Sequence, residues 1–157
     1  MLPFFHIRKA TRVDKNFIHQ LIHQVGINPL ALNWRRFVIA VAENDVRVGC
    51  AQIKNHHDGS KELSSLAVIP THRQQGVARA LIEELLRNQQ PPVHLTCRGS
   101  LSPFYVRFGF HEVQNTHEMP IYFRRVKIVF DWLDHHKWAE RVAIMRWDGA
   151  ENQLLQL

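Results

Sequence analysis

The sequence predicts an α/β fold, with one mixed sheet and helices packed against it in a single domain. Three observations carry that expectation. Segments of strand character alternate with segments of helical apolar spacing, without internal repeats or a low-complexity linker. Over residues 63–82 a strand, a tight turn and a helix follow one another directly. The chain has 157 residues, 45% hydrophobic and 22% charged, enough to bury a core without disulfides or a structural metal.

Residues 4–10 open the chain as a strand, with Phe5 and Ile7 alternating against His6 and Arg8. Thr11 with Asp14 three residues on approximates a helix start, and Val13, Phe17, Ile18, Leu21, Ile22 and Val25 form an apolar stripe. Gly26 ends that helix, and Asn28-Pro29 begins a short second one through about Trp34. Residues 37–42 and 46–54 read as strands joined by the turn-like Glu43-Asn44-Asp45. The turn His56-His57-Asp58-Gly59-Ser60 then pairs the third strand with residues 61–69.

Pro70 stops that strand. Val77, Leu81, Ile82, Leu85 and Leu86 mark an amphipathic helix of about four turns ending near Gln89. Pro91-Pro92 breaks the chain before a strand at 93–97, a short helix at 102–108 and a strand at 110–113. The last strand falls at about 141–147. Between Val113 and Arg141 the apolar spacing of Phe123, Val126, Val129, Phe130 and Leu133 predicts an added helix over about 123–136. It reads either as a surface helix covering the sheet edge or as a wall of a binding site.

The strand–turn–helix at 63–82 carries the chemistry. A helix opened by the small residues Gly76 and Ala78 leaves its first backbone N–H groups uncrowded, and with the helix dipole these form a phosphate site. Arg73-Gln74-Gln75-Gly76-Val77-Ala78 is neither a P-loop nor the three-glycine dinucleotide fingerprint. It resembles the Arg/Gln-x-x-Gly-x-Gly/Ala signature of the GNAT acyl-CoA N-acyltransferases. A second stretch, Pro103-Phe104-Tyr105-Val106-Arg107-Phe108-Gly109-Phe110, resembles that family's Phe-Tyr-x-x-x-Gly-Phe segment. The resemblance runs from residue 4 to about 113 and returns at the last strand. The 27 or so residues before that strand depart from the short loop common in the family, and residues 118–136 more loosely resemble an extension in some cyanobacterial and plastid-type members.

The resemblance implies the GNAT fold: α/β (α+β), with a central mixed, mostly antiparallel, twisted sheet of about six to seven strands flanked by helices. Residues 1–157 would form one such domain, with the extra helix between the last two strands. It implies acetyl-coenzyme A as cosubstrate and no metal. Main-chain N–H groups of Gln74, Gln75, Gly76, Val77, Ala78 and Arg79 would hold the pyrophosphate. Leu66, Ala67 and Val68 would pair with the pantetheine amides and polarise the thioester carbonyl. Arg73 and Arg79 either add charge there or are solvated helix residues. As the acid that protonates the leaving thiolate, Tyr105 matches the family tyrosine whose hydroxyl reaches the coenzyme sulfur; its plain alternative is a core aromatic with a hydroxyl at the rim. Glu62, five residues before Ala67, stands where several branches carry a glutamate base. Strand alternation puts it on one face with Ser64 and Leu66, and the alternative is a strand-end charge paired with a surface cation.

Transfer to a primary amine, either a protein lysine or N-terminus or a small amine, would proceed directly, since Cys97 on a buried-looking strand lacks a base partner. The rival reading is a noncatalytic CoA or acyl-CoA sensor. Eleven histidines include His56-His57 and His135-His136, but neither pair carries the carboxylate or cysteine partners of a known zinc spacing. His117 and Glu118 are candidate acceptor contacts. The implied partners are acetyl-coenzyme A and an amine-bearing acceptor, with a homodimer as one oligomeric option. A net charge of +6 also attracts nucleic acid or acidic membranes, yet no nucleic-acid motif accompanies it and no apolar run approaches a membrane span. Met1-Leu2-Pro3-Phe4-Phe5 lacks a leader's apolar region, and two isolated cysteines, Cys50 and Cys97, suit a reducing, cytoplasmic setting.

Overall fold

The structure, a computed structural model, describes residues 4–136 and 140–150. Met1 to Pro3, where the expectation about a leader begins, lie outside the described residues. Seven strands join in the order β1-β2-β3-β4-β5-β7-β6, a mixed and mostly antiparallel sheet with four helices. By its internal contacts the chain forms two compact units, Met1–Lys54 with Leu63–Gln89, and Asn55–Glu62 with Gln90–Leu157.

In the first unit, β1 (Phe5–Lys9) pairs antiparallel with β2 (Phe37–Ala42), Ile7 facing Ala40, and β2 pairs antiparallel with β3 (Arg47–Asn55), Ile39 facing Cys50. The strand β4 (Lys61–Val68) leads into α2 (Val77–Leu86). Thr11 and Asp14 form the reciprocal cap that the sequence suggests, opening one tight turn and then α1 (Lys15–Val25), which ends at left-handed Gly26. Ile18, Leu21 and Ile22 of α1 pack on Phe37, Ile39, Val41 and Cys50. Val13 departs from the expected stripe. It lies in the tight turn before α1, where the 3.6-residue period does not yet hold, and is 73% exposed.

The helix expected from Asn28 to Trp34 does not form. The Asn28 side chain instead accepts the Leu30 N–H, Ala31 takes a left-handed φ of 57°, and only Trp34–Arg36 make a single helical turn. The Asn28 bond is one a helix cap would also make, so it is the left-handed Ala31 that stops a helix from continuing here. Helix α2 closes at Leu86, nearer three turns than four.

The second unit contains β5 (Val93–Arg98), α3 (Ser102–Val106), β6 (Phe110–Glu112), α4 (Ile121–His135) and β7 (Val142–Trp147). Strand β7 lies between β5 and β6, antiparallel to both. The start of β4 meets β5 in parallel register, Glu62 facing His94. The added helix α4 is present, but it does not cover the sheet edge. Its buried Phe123 packs with Val113, Met119, Val142 and Ile144, on the face of an interior strand. Val129, expected in the apolar stripe, points outward at 54% exposure.

Candidate active site

The strand–turn–helix of the first unit sets a kinked strand, a left-handed turn and a helix start side by side. Within β4, Ser65 takes a left-handed φ of 58°, so regular alternation from Glu62 through Ser64 to Leu66 is interrupted there. This buried kink is held by the Gln52 side chain, which donates to the Ser65 hydroxyl at 2.9 Å, and by the Cys50 thiol on the Ser65 carbonyl at 3.7 Å. Gly49 lies beneath: a Cβ there would come within 3.0 Å of the Ala67 carbonyl oxygen and 3.2 Å of Val77 and Leu81 side chains. The missing side chain lets β3, β4 and the start of α2 approach closely.

After β4 the chain makes one tight turn over Pro70–His72. Arg73 donates its Nε to the Val68 carbonyl at 3.1 Å, and the Gln75 amide donates to the Thr71 carbonyl at 3.1 Å, closing the loop on itself. Gln74 and Gly76 are both left-handed, with φ of 60° and 83°. Val77 then buries its side chain and α2 begins. The first bond of the helix runs from Ala80 N to the Gly76 carbonyl, so the preceding N–H groups lack an intrahelical partner. A Cβ on Gly76 would meet nothing within 4 Å. The glycine is therefore required by its backbone conformation, not by crowding, and the space above the helix N-terminus is open. Leu66, Ala67, Val68, Arg73, Gln74, Gln75, Gly76, Val77, Ala78 and Arg79 all belong to this one strand–turn–helix. Arg79 also reaches Glu83 at 3.4 Å, an exposed pair one helical turn apart.

A second cluster lies in the other unit, around Glu62. This carboxylate is buried, and its Oε2 is 2.7 Å from His56 Nε2. The expectation of a strand-end charge with a surface cation therefore does not describe it. His56 begins the turn between β3 and β4, its N–H donating to the Ser60 carbonyl at 2.9 Å. Its ring stacks on Tyr122 of α4 with centroids 3.5 Å apart and planes 15° from parallel, with Phe123 edge-on at 5.8 Å. Asp58 completes the turn by accepting from the Ser60 hydroxyl and N–H, and its other oxygen accepts the Tyr122 N–H at 2.9 Å. That bond caps α4, whose own N-cap residue, Pro120, offers no side-chain acceptor. The Ser60 hydroxyl, then the Tyr122 N–H, hold the Asp58 carboxyl down at about 2.

His94, facing Glu62 in register, is fully buried and stacked on Phe123 at 5.0 Å. Burial, followed by the nearby charge of Arg146, lowers its pKa to about 4, so the ring is neutral at physiological pH. Tyr105 sits on α3 with its ring edge-on to Phe104 and Phe110, at 5.0 and 6.1 Å. Burial, then the neighbouring Cys97, pushes its phenol up to about 12. Glu62 and Tyr105 share this unit, but no hydrogen bond or ring contact joins them among the described residues. His117 and Glu118 form a tight turn before α4, pinned by the Arg124 guanidinium on the carbonyls of Thr116 and His117.

Sequence reasoning missed His56, His94 and Tyr122. The hairpin held one usable signal: His56 pairs with Ser60 across the turn, and Glu62, two residues further on, shares the same face of the hairpin. Among the described residues no three His, Cys, Asp or Glu side chains converge as a metal ion requires, and no helix is long and apolar enough to cross a membrane.

The fold recurs in known proteins. N-acetylglutamate synthase from Neisseria gonorrhoeae, crystallised with coenzyme A and L-arginine, superposes with a TM-score of 0.70 at 18% identity, over 94% of this chain and 34% of that one. The chain thus spans about a third of the length of that protein. Rv2747 from Mycobacterium tuberculosis, in complex with CoA, gives 0.67 at 18% identity over 90% of this chain and 98% of that one. Escherichia coli ElaA gives 0.65 at 17% identity over 91% and 99%. In sequence, residues 33–112 match the family model of the acetyltransferase (GNAT) domain, which includes the kinked strand, the left-handed turn, α2, Glu62 and Tyr105. With just over half of its 157 residues in that match, the chain belongs to the GNAT acetyltransferase family.

Proposed function

We propose that the protein transfers an acetyl group from acetyl-coenzyme A to a primary amine in one direct step. The observation that carries the reading is the left-handed Gly76 with open space over the N-terminus of α2, at the end of β4. Free N–H groups of residues 76–79 and the positive end of the helix suit a pyrophosphate, and Leu66, Ala67 and Val68 offer backbone to the pantetheine amides. The coenzyme A bound by the Neisseria and Mycobacterium proteins supports the same donor here.

In the reaction the acceptor ammonium loses a proton to Glu62, directly or through water. The amine nitrogen attacks the thioester carbon, the C–N bond forms, and the C–S bond breaks with its electron pair going to sulfur. The Tyr105 hydroxyl donates a hydrogen bond to that sulfur, and the second proton of the acylated nitrogen passes through water to the sulfur, so that coenzyme A leaves as the thiol and the product is a neutral amide. The acceptor is a protein lysine, a protein N-terminus or a small amine. Two free, buried cysteines suit a reducing setting such as the cytoplasm.

Thiol release from acetyl-coenzyme A over a panel of amines and lysine peptides, with mass spectrometry of the products, tests the reading. Acetylated product with stoichiometric thiol is the expected result. Coenzyme binding without thiol release from any amine would make the protein a sensor instead. Gly76→Val adds a separate expectation. A β-branched residue at φ 83° costs about 1–3 kcal/mol of strain. Its side chain also enters the open space, so coenzyme A affinity measured by calorimetry should fall at least about tenfold.

A further inference from the structure

We propose that His56 is a positioning residue for Glu62, held in place by Tyr122, so that helix α4 completes the proton-accepting end of the site. The inference rests on Glu62 being the base in the reaction proposed above.

The geometry closes a circuit through Asp58, Tyr122 and His56, with Glu62 attached at His56. Asp58 accepts the Tyr122 N–H, the Tyr122 ring lies flat on His56, His56 meets Glu62 at 2.7 Å, and the main chain of the turn joins His56 back to Asp58. Each link does something chemical. A buried carboxylate needs a donor, and the His56 ring stands 2.7 Å from the Glu62 side chain to supply one. With Nε2–H donated to Oε2, the carboxylate is fixed in rotation and Oε1 is left to receive the acceptor's proton. His56 in turn cannot swing away, because its backbone is tied to Ser60 and its ring is pressed on Tyr122, with Phe123 at its edge.

The groups that face this pair are Asp58 of the turn, Tyr122 of α4 and, on β5, neutral His94 opposite Glu62. Tyr122 lies past residue 112, where the family match ends, so the clamp comes from the part of this chain outside that match. During turnover Glu62 takes one proton on Oε1 and returns it to water, while the His56 Nε2–H stays on Oε2 and changes partner at no step.

The test uses the full chain and thiol release from acetyl-coenzyme A, with spermine, phenethylamine and a lysine peptide as probes. Thermal unfolding of each variant is followed in parallel. His56→Phe keeps the ring stack but removes the donor. It should lower kcat about tenfold and leave the KM for acetyl-coenzyme A within about twofold, because the carboxylate loses the donor that orients it. His56→Gln, whose amide can replace Nε2–H, should restore most of the rate. Tyr122→Phe, which keeps the stacked ring, should restore the rate, and Tyr122→Ala should reproduce the kcat loss at unchanged KM. Parent-like kcat in both His56→Phe and Tyr122→Ala, with Glu62→Gln impaired, would overturn the proposal while sparing Glu62 as base. Full turnover in Glu62→Gln would remove the base itself and the proposal with it.

Discussion

Tyr105→Phe is expected to lower turnover with acetyl-coenzyme A about a hundredfold, a loss typical for one aligned donor at a developing anion. Coenzyme A affinity should stay within about twofold, because the substitution removes one hydroxyl and keeps the ring against Phe104 and Phe110. The effect comes from hydrogen bonding and not from net proton release. A phenol held at about 12 is a weaker acid than an ordinary thiol near 8.5, so full transfer to a coenzyme thiolate runs uphill by roughly three units. The same raised value keeps the phenol protonated across the working range, ready to donate. Single-turnover kinetics with the purified variant measure the loss, and parent-like rates would take Tyr105 out of the chemistry.

Asp14→Ala is expected to cost about 3 kcal/mol of stability, the lower end for breaking a buried ion pair. The fully buried Asp14 carboxylate accepts from Arg8 at 2.7 and 3.0 Å, from Arg47 Nε at 2.5 Å and from the Thr11 N–H at 2.7 Å. Alanine would leave two guanidinium groups facing each other, each side chain 28% exposed, which is why the lower end applies. For a chain of this size the melting midpoint should drop by roughly 6–12 °C. The parent protein should also show the pair as acid sensitivity. Burial alone would raise the Asp14 pKa, but the donors from Arg8, Thr11 and Arg47 together outweigh it and hold the carboxyl well below the usual range. A depressed folded pKa means the stabilisation is complete above the unfolded value near 4 and is lost as pH falls below it. Chemical unfolding between about pH 5 and 2 should show stability falling with pH in the parent and a flatter profile in Asp14→Ala.

The legible and illegible parts of the molecule differ in the range of the interactions that set them. The unbroken apolar run at 37–42 and the apolar spacing of Val77, Leu81 and Leu85 express local preferences and translate directly into β2 and α2. The same holds for the Thr11–Asp14 cap and for Gly26. Asn28–Trp34 fails although Asn28 caps the Leu30 N–H, because Ala31 turns left-handed, which its residue type does not announce. Val129 is exposed because the face α4 buries is chosen by where β7 lies, which apolar spacing alone does not tell. In the site, Gly76 was legible through a local backbone demand. The kink at Ser65 was not, since it depends on Gln52 and Cys50 across the sheet. The stack of His56 on Tyr122 joins residues 66 positions apart and leaves no periodic trace.

The central claim is that the turn before α2 holds coenzyme A. Calorimetric titration of the parent protein and of Gly76→Val with coenzyme A tests it most directly. One site per chain with micromolar affinity in the parent, weakened at least about tenfold in the variant, is the expected result. No heat of binding in the folded parent, or equal affinity in a folded Gly76→Val, would contradict it.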